Sequence, residues 1–164
     1  MSDKLKQIIN KQNEQQEVGL DQSEDIVQLV GFIIGEEEYA VPILTIQEII
    51  KPFTWTRVPQ VPSYVLGVFN LRGAVIPLID LRAKFGLQTK NQSEETRFIV
   101  MRHDDDVAGF VIDRLTMAIR LKKSDIGPAP DTVNGDDTII EGVGKQADKI
   151  ITILKVNKLL ERDF

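Results

Sequence analysis

The chain contains a copy of part of itself, and this duplication constrains its fold more than any other feature. Gly67-Val68, followed from Val75 by the run VIPLIDL, is matched by Gly142-Val143 and, from Ile150, the run IITILKV, at a constant offset of 75 with no gap across fifteen positions. Upstream, Phe32-Ile33-Ile34, an acidic triplet (Glu36 to Glu38) and Tyr39-Ala40-Val41 match Phe98-Ile99-Val100, a second triplet (Asp104 to Asp106) and Val107-Ala108-Gly109, at offsets of 66 to 68. The simplest account is two copies of one unit of about 70 residues. Domains that small bury only about 60% of their unfolded surface, so two must pack on each other or on a partner.

The unit is a β-unit. From Ile26 onward, strand-length runs rich in Val, Ile and Phe are separated by turn signals: IVQLVGFII, YAVPIL, YVLGVFNL, AVIPLIDL, TRFIVM, VAGFVIDRL, MAIRL and KIITILKV. This spacing indicates an all-β sandwich or barrel. A small barrel removes exposed edges by closing on itself, so the expected architecture is two five-stranded SH3-like barrels packed together. They would cover roughly residues 26–90 and 91–155, with strand exchange between them allowed. Pro42 and Pro77 are expected at sheet edges, strand starts or bulges, since neither can donate to a ladder. Short helices are expected at Ile46 to Lys51 and Val156 to Arg162. Residues 1–25 are rich in Gln, Glu, Lys and Asn and are expected to be a disordered tail, although Leu5, Ile8 and Ile9 fall at helical spacing.

Several function classes drop out. A formal net charge of −5 opposes a nucleic-acid face, which needs clustered Lys and Arg. The absence of cysteine removes disulfides, thiolate nucleophiles and zinc-thiolate sites. No apolar run approaches a membrane span and the N-terminus has no signal-like core, so a cytoplasmic protein is expected. No phosphate-cradling glycine loop, nucleophile elbow or HExxH is present. His103, the only histidine, precedes Asp104-Asp105-Asp106, but the repeat aligns that triplet with Glu36 to Glu38. Both therefore read as acidic hairpin tips, and neither a metal nor a cofactor is expected. Trp55, in a stretch holding Pro52, Pro59 and Pro62, reads as a stiff connection capping a barrel end, with a peptide platform as the sharper alternative.

Arg72 stands out against this background. It interrupts the apolar segment between the runs ending at Leu71 and starting at Ala74, whereas the second copy holds Ala147 at the same position. Equivalent backbone thus does not need an arginine. Its planar donor fork suits a carboxylate, and Glu48, flanked by Ile46, Ile49 and Ile50, is the expected partner. An exposed pair contributes little stability, so its role would be to shape a surface.

These residues also carry a resemblance. EEEYAVPILTIQEI, VPQVPSYVLGVFNLRGAVIPLIDLR, VAGFVIDRL and GVGKQADKIITILKVNKLL, in this order and spacing, closely resemble the CheW family of chemotaxis adaptors over about residues 26–162. The resemblance implies two SH3-like barrels and no catalysis. It implies two partners, the regulatory domain of the histidine kinase CheA and the cytoplasmic hairpin tip of chemoreceptors. By motif, Ile46, Glu48, Gly67 and Arg72 match receptor-coupling positions, and Val30, Ile43 and Ile46 match kinase-docking positions. The N-terminal extension and the loop at 130–140 depart from the pattern. Related proteins that carry a kinase or response-regulator domain would need further sequence, so a free-standing adaptor is expected, recruited to receptor arrays at the membrane without inserting into it. Alternatives are a pilus or surface-motility paralogue, a small-barrel peptide- or oligonucleotide-binding module, and, more weakly, a hydrolase using paired carboxylates.

Overall fold

A computed structural model describes residues 25–128 and 139–161. The tail expected at 1–25 falls outside the described residues except for Asp25, as do positions 130–138 of the divergent loop and Arg162.

Eleven strands are described: β1 (Ile26–Ile34), β2 (Glu37–Pro42), β3 (Ile46–Ile50), β4 (Val65–Leu71), β5 (Ala74–Asp80), β6 (Arg97–His103), β7 (Asp106–Ile112), β8 (Arg114–Lys122), β9 (Ile126–Gly127), β10 (Ile140–Gln146) and β11 (Lys149–Leu154). Two one-turn helices, α1 (Leu81–Lys84) and α2 (Val156–Leu159), follow β5 and β11. The strands form a six-stranded sheet in the order β8-β1-β2-β11-β10-β9 and a five-stranded sheet in the order β3-β6-β7-β5-β4. The fold is mostly β, as the spacing of the apolar runs predicts.

Both sheets mix the two repeats. The β10–β11 hairpin of the second copy joins β1–β2 of the first through a parallel β11–β2 contact, and β4–β5 of the first joins β6–β7 of the second through parallel β5–β7. Each repeat therefore completes the other's sheet, and a cut near residue 90 would divide both.

This arrangement explains why the runs of β5, β6 and β7 are almost continuously apolar: both faces of these central strands are largely buried. In β6, Phe98 and Val100 point into a cluster with Phe69, Ile76 and Leu78, while Ile99 and Met101 point the other way. In β2 and β11 the same alternation sends Ala40, Ile151 and Ile153 into a cluster with Leu29, Ile119 and Leu121. Val41 and Leu154 instead join Phe32, Ile34, Phe110 and Ile112 in the largest core, which the two sheets share. A period-2 pattern thus feeds one core inside each sheet and one between them.

Three local expectations need correction. Residues 46–50 form β3, not a helix. The register shifts between Ile46 and Glu48, which face Met101 and Val100, so Gln47 is the extra residue of a β-bulge. The bulge puts Ile46 and Ile49 on one face, reproducing the i, i+3 spacing that reads as helical. Pro77 lies inside β5, an internal strand, rather than at an edge, strand start or bulge. It is tolerated because the ladder to β7 begins only at Leu78, one residue later. The C-terminal helix is a single turn, Val156–Leu159. Helix α1 had no counterpart in the reading of the runs; Asp80 starts it, its side chain accepting from the Arg82 backbone N–H.

Candidate functional site

Leu71 and Ala74 face each other at the end of the β4–β5 ladder, leaving Arg72-Gly73 as a two-residue turn with φ of 54° and 88°. Two successive positive φ values are those of a type I′ turn, whose twist matches the flanking strands. The Asn70 Oδ1 accepts from the Gly73 N–H at 3.0 Å and holds the turn. Ala147, the equivalent residue of the second copy, has the same φ of 54°. The left-handed position is therefore a property of the hairpin, while the arginine is peculiar to the first copy.

From this turn Arg72 reaches Glu48 with a two-pronged contact, Nε to Oε1 at 3.1 Å and Nη2 to Oε2 at 3.0 Å. The expected ion pair is present. The Gln47 bulge is what aims Glu48 at it, because without the extra residue Glu48 would share the face of Ile46. The Arg72 hydrogen bond draws the Glu48 carboxyl below its ordinary value, and Glu48 in turn raises the guanidinium. Strands β3 and β4 are the two opposite edges of the five-stranded sheet. The pair thus bridges the seam between these two edges, with the Arg72 side chain 76% exposed and that of Glu48 21%.

The connection between β3 and β4 crosses the same sheet. Thr56 and Val68 exchange backbone hydrogen bonds of 2.7 and 2.9 Å, pairing part of the β4 edge. Trp55 stands edge-on to Phe98 and Phe53 is tilted against Phe69, so the connection caps an aromatic cluster. Gly67 is what allows the crossing: a Cβ there would run into the Thr56 carbonyl and lie 3.0 Å from the Arg57 Cα. Its buried backbone serves close approach, which is a structural reason for glycine whatever else the position does.

The remaining positions separate by exposure. Ile46 packs against the shared core, so burial accounts for most of its side chain. Val30 is partly buried on β1, and Ile43 is 39% exposed at the start of a 3₁₀ turn, Ile43–Thr45, where Leu44 is 96% exposed. Reading the sequence missed Leu44, because nothing local distinguishes an apolar residue in a tight turn from one in a strand.

It also missed a second ion pair. Arg82 Nε lies 2.9 and 3.1 Å from the two Asp113 carboxylate oxygens, and its Nη2 lies 2.7 Å from Oδ2, which also accepts from the Gly35 N–H at 2.8 Å. Both side chains are less than a fifth exposed. Burial pushes the Asp113 carboxyl up, but the hydrogen bonds from Arg82 and Gly35 outweigh it and hold the group below its ordinary value. This node joins α1, the β7–β8 corner and the tip of the β1–β2 hairpin.

The chain matches the CheW-like domain family over residues 28–164. It belongs to the CheW-like family. It is 52% identical to the chemotaxis protein CheW of Helicobacter pylori over 165 residues, covering 100% of both chains. It is 35% identical to that of Bacillus subtilis, over 82% of this chain and 87% of that one. In structure it resembles the scaffolding protein CheW of Thermoanaerobacter tengcongensis with a TM-score of 0.77 and 32% identity, covering 84% of this chain and 94% of the other. The CheW-like chain is a non-catalytic adaptor of chemotaxis signalling.

Its acidic clusters lie at hairpin tips in both repeats, as the duplication predicts. Glu36 and Glu37 lie at the β1–β2 turn, and Asp104 to Asp106 at the β6–β7 turn, where His103 Nε2 is 3.6 Å from the Asp104 carboxylate with both side chains at least half exposed. Among the described residues no three His, Cys, Asp or Glu side chains are grouped to hold a metal ion, and no helix is long and apolar enough to cross a membrane.

Proposed function

We propose that this adaptor couples chemoreceptors to the histidine kinase CheA, with the seam at Glu48 and Arg72 as the receptor-facing site and an adjoining apolar surface as the kinase site. The observation that carries the reading is the Arg72 fork. An arginine occupies a left-handed turn position that the other repeat fills with alanine, and it is held by a carboxylate while most of its side chain stays in water. Arginine is a poor choice for that backbone and a good one for contact with a partner. Glu48 pre-orders the guanidinium, which lowers the entropy lost when a partner binds.

Receptor coupling then rests on Glu48 and Arg72, with Gly67 supporting the site by admitting the Thr56 crossing. For the kinase, Ile43 and Val30 supply apolar contact beside the exposed Leu44, and Ile46 anchors the segment from within. Apolar anchors give affinity while rim charges set register. The protein works in the cytoplasm and is brought to the membrane by its receptor partner.

The test compares wild type, Arg72→Ala and Ile43→Asp in pull-downs against a kinase regulatory domain and a receptor cytoplasmic fragment, with circular dichroism on each. Folded Arg72→Ala is expected to lose mainly the receptor, and Ile43→Asp mainly the kinase. Folded variants that bind both partners like wild type would refute the assignment.

A further inference from the structure

Where the β1–β2 hairpin meets β10 and β11, the first sheet leaves a groove of about 680 Å³. Ile33, Tyr39, Val143 and Ile150 line it, and the exposed Glu36 and Glu37 rim it against one lysine, Lys149. Ile150 is 64% exposed, although it is a strand residue with the most buried part of β11 beside it. An apolar floor with an acidic rim suits a basic amphipathic segment.

The N-terminal stretch before β1 holds such a segment. Residues 4–11, KLKQIINK, hold three lysines and no acid, whereas residues 12–24 hold Glu14, Glu17, Asp21 and Glu24 and no lysine or arginine. On a helix, Leu5, Ile8 and Ile9 form one stripe with Lys4 and Lys11 on one flank and Lys6 on the other. Alone, so short a helix cannot offset its ordering entropy; against an apolar floor it can. The reach also fits. The tail joins at Asp25, beside the start of β1, and the groove lies toward the far end of that nine-residue strand, about 30 Å away. Residues 12–24, extended, span about 43–47 Å.

We propose that residues 4–11 dock in this groove of their own chain, with Leu5, Ile8 and Ile9 covering Ile150 and the lysines facing Glu36 and Glu37. The contact is a weak, salt-sensitive intramolecular one that any partner binding this face of the sheet has to displace.

The absence of cysteine from the chain makes the test clean. A nitroxide on Ser2→Cys of the full-length protein should broaden the amide signals of residues 36–39 and 143–151, equally at all protein concentrations. Glu36→Lys with Glu37→Lys should abolish the broadening, and adding Lys4→Glu, Lys6→Glu and Lys11→Glu should restore it, with unchanged amide positions elsewhere showing that each variant is folded. No broadening at the groove would overturn the proposal. So would broadening that grows with concentration, which would place the tail of a second copy there, or broadening indifferent to the charge exchange.

Discussion

Replacing Arg82 by alanine should destabilise this protein more than any change at the more conspicuous Arg72. The Arg82 fork makes three contacts of 2.7 to 3.1 Å with Asp113, and both side chains are less than a fifth exposed. Breaking a fully buried pair costs about 3–5 kcal/mol because a charge is left unpaired, while an exposed pair contributes about 0–1 kcal/mol. This node lies between those limits: Asp113 would keep the Gly35 N–H and some water. The expected loss is about 2–3 kcal/mol, with coupling of about 1–3 kcal/mol between Arg82→Ala and Asp113→Asn in a double-mutant cycle. The node also leaves a pH signature. The folded-state carboxyl of Asp113 titrates below its unfolded value near 3.9, so its stabilisation is complete above about pH 4 and is lost as pH falls through the folded-state value. Asp80 works the other way, because burial holds its carboxyl above the ordinary value. The comparison of wild type with Asp113→Asn therefore isolates the node. Urea melts at pH 7 and pH 3 would measure both effects, and the difference between the two proteins should shrink at the lower pH. A loss below about 0.5 kcal/mol, or additive single mutants, would refute the view that this contact ties the two repeats together.

Two further outcomes are expected. Gly67→Ala should lower stability by about 2–3 kcal/mol, or detach the connection, because the new methyl runs into the Thr56 carbonyl. Trp55 is the only tryptophan and reports the change as a red-shifted emission, whereas unaltered emission and stability would make Gly67 a contact residue instead. Of the two tyrosines, Tyr39 should ionise late. Burial, then the nearby Glu37 carboxylate, push its phenol up to about 12. Since the folded value lies above the unfolded value near 10, its stabilisation is present below pH 10 and lost as pH rises toward 12, and an absorbance titration of Tyr64→Phe at high pH after brief exposure, showing the remaining phenol released near 10, would contradict this.

The Ile46–Lys51 segment shows where local reading failed and why. Apolar residues at Ile46, Ile49 and Ile50 fit a helix by spacing alone, yet Gln47 is a bulge that inserts one residue into a strand and gives the same spacing. Only the pairing of β3 with β6 distinguishes the two, and that partner lies about fifty residues away. The Glu48–Arg72 pair was legible because the duplication supplied an internal control: backbone needs are common to both copies, so a difference between them marks a special task. The Arg82–Asp113 pair had no such control and lay in two runs whose apolar residues dominated the reading.

The amino-acid sequence alone determined the β character, the acidic hairpin tips and the repeated hairpin with its one odd arginine, because each depends on patterns within a few residues or on comparison of two copies. Only the tertiary structure decided which strands pair, that each repeat completes the other's sheet, that Ile46 is mainly core, and that Gly67 exists to let a backbone pass. Those outcomes depend on contacts between segments far apart in the chain, where many pairings satisfy the same alternation and the choice is made by how the three cores fill together.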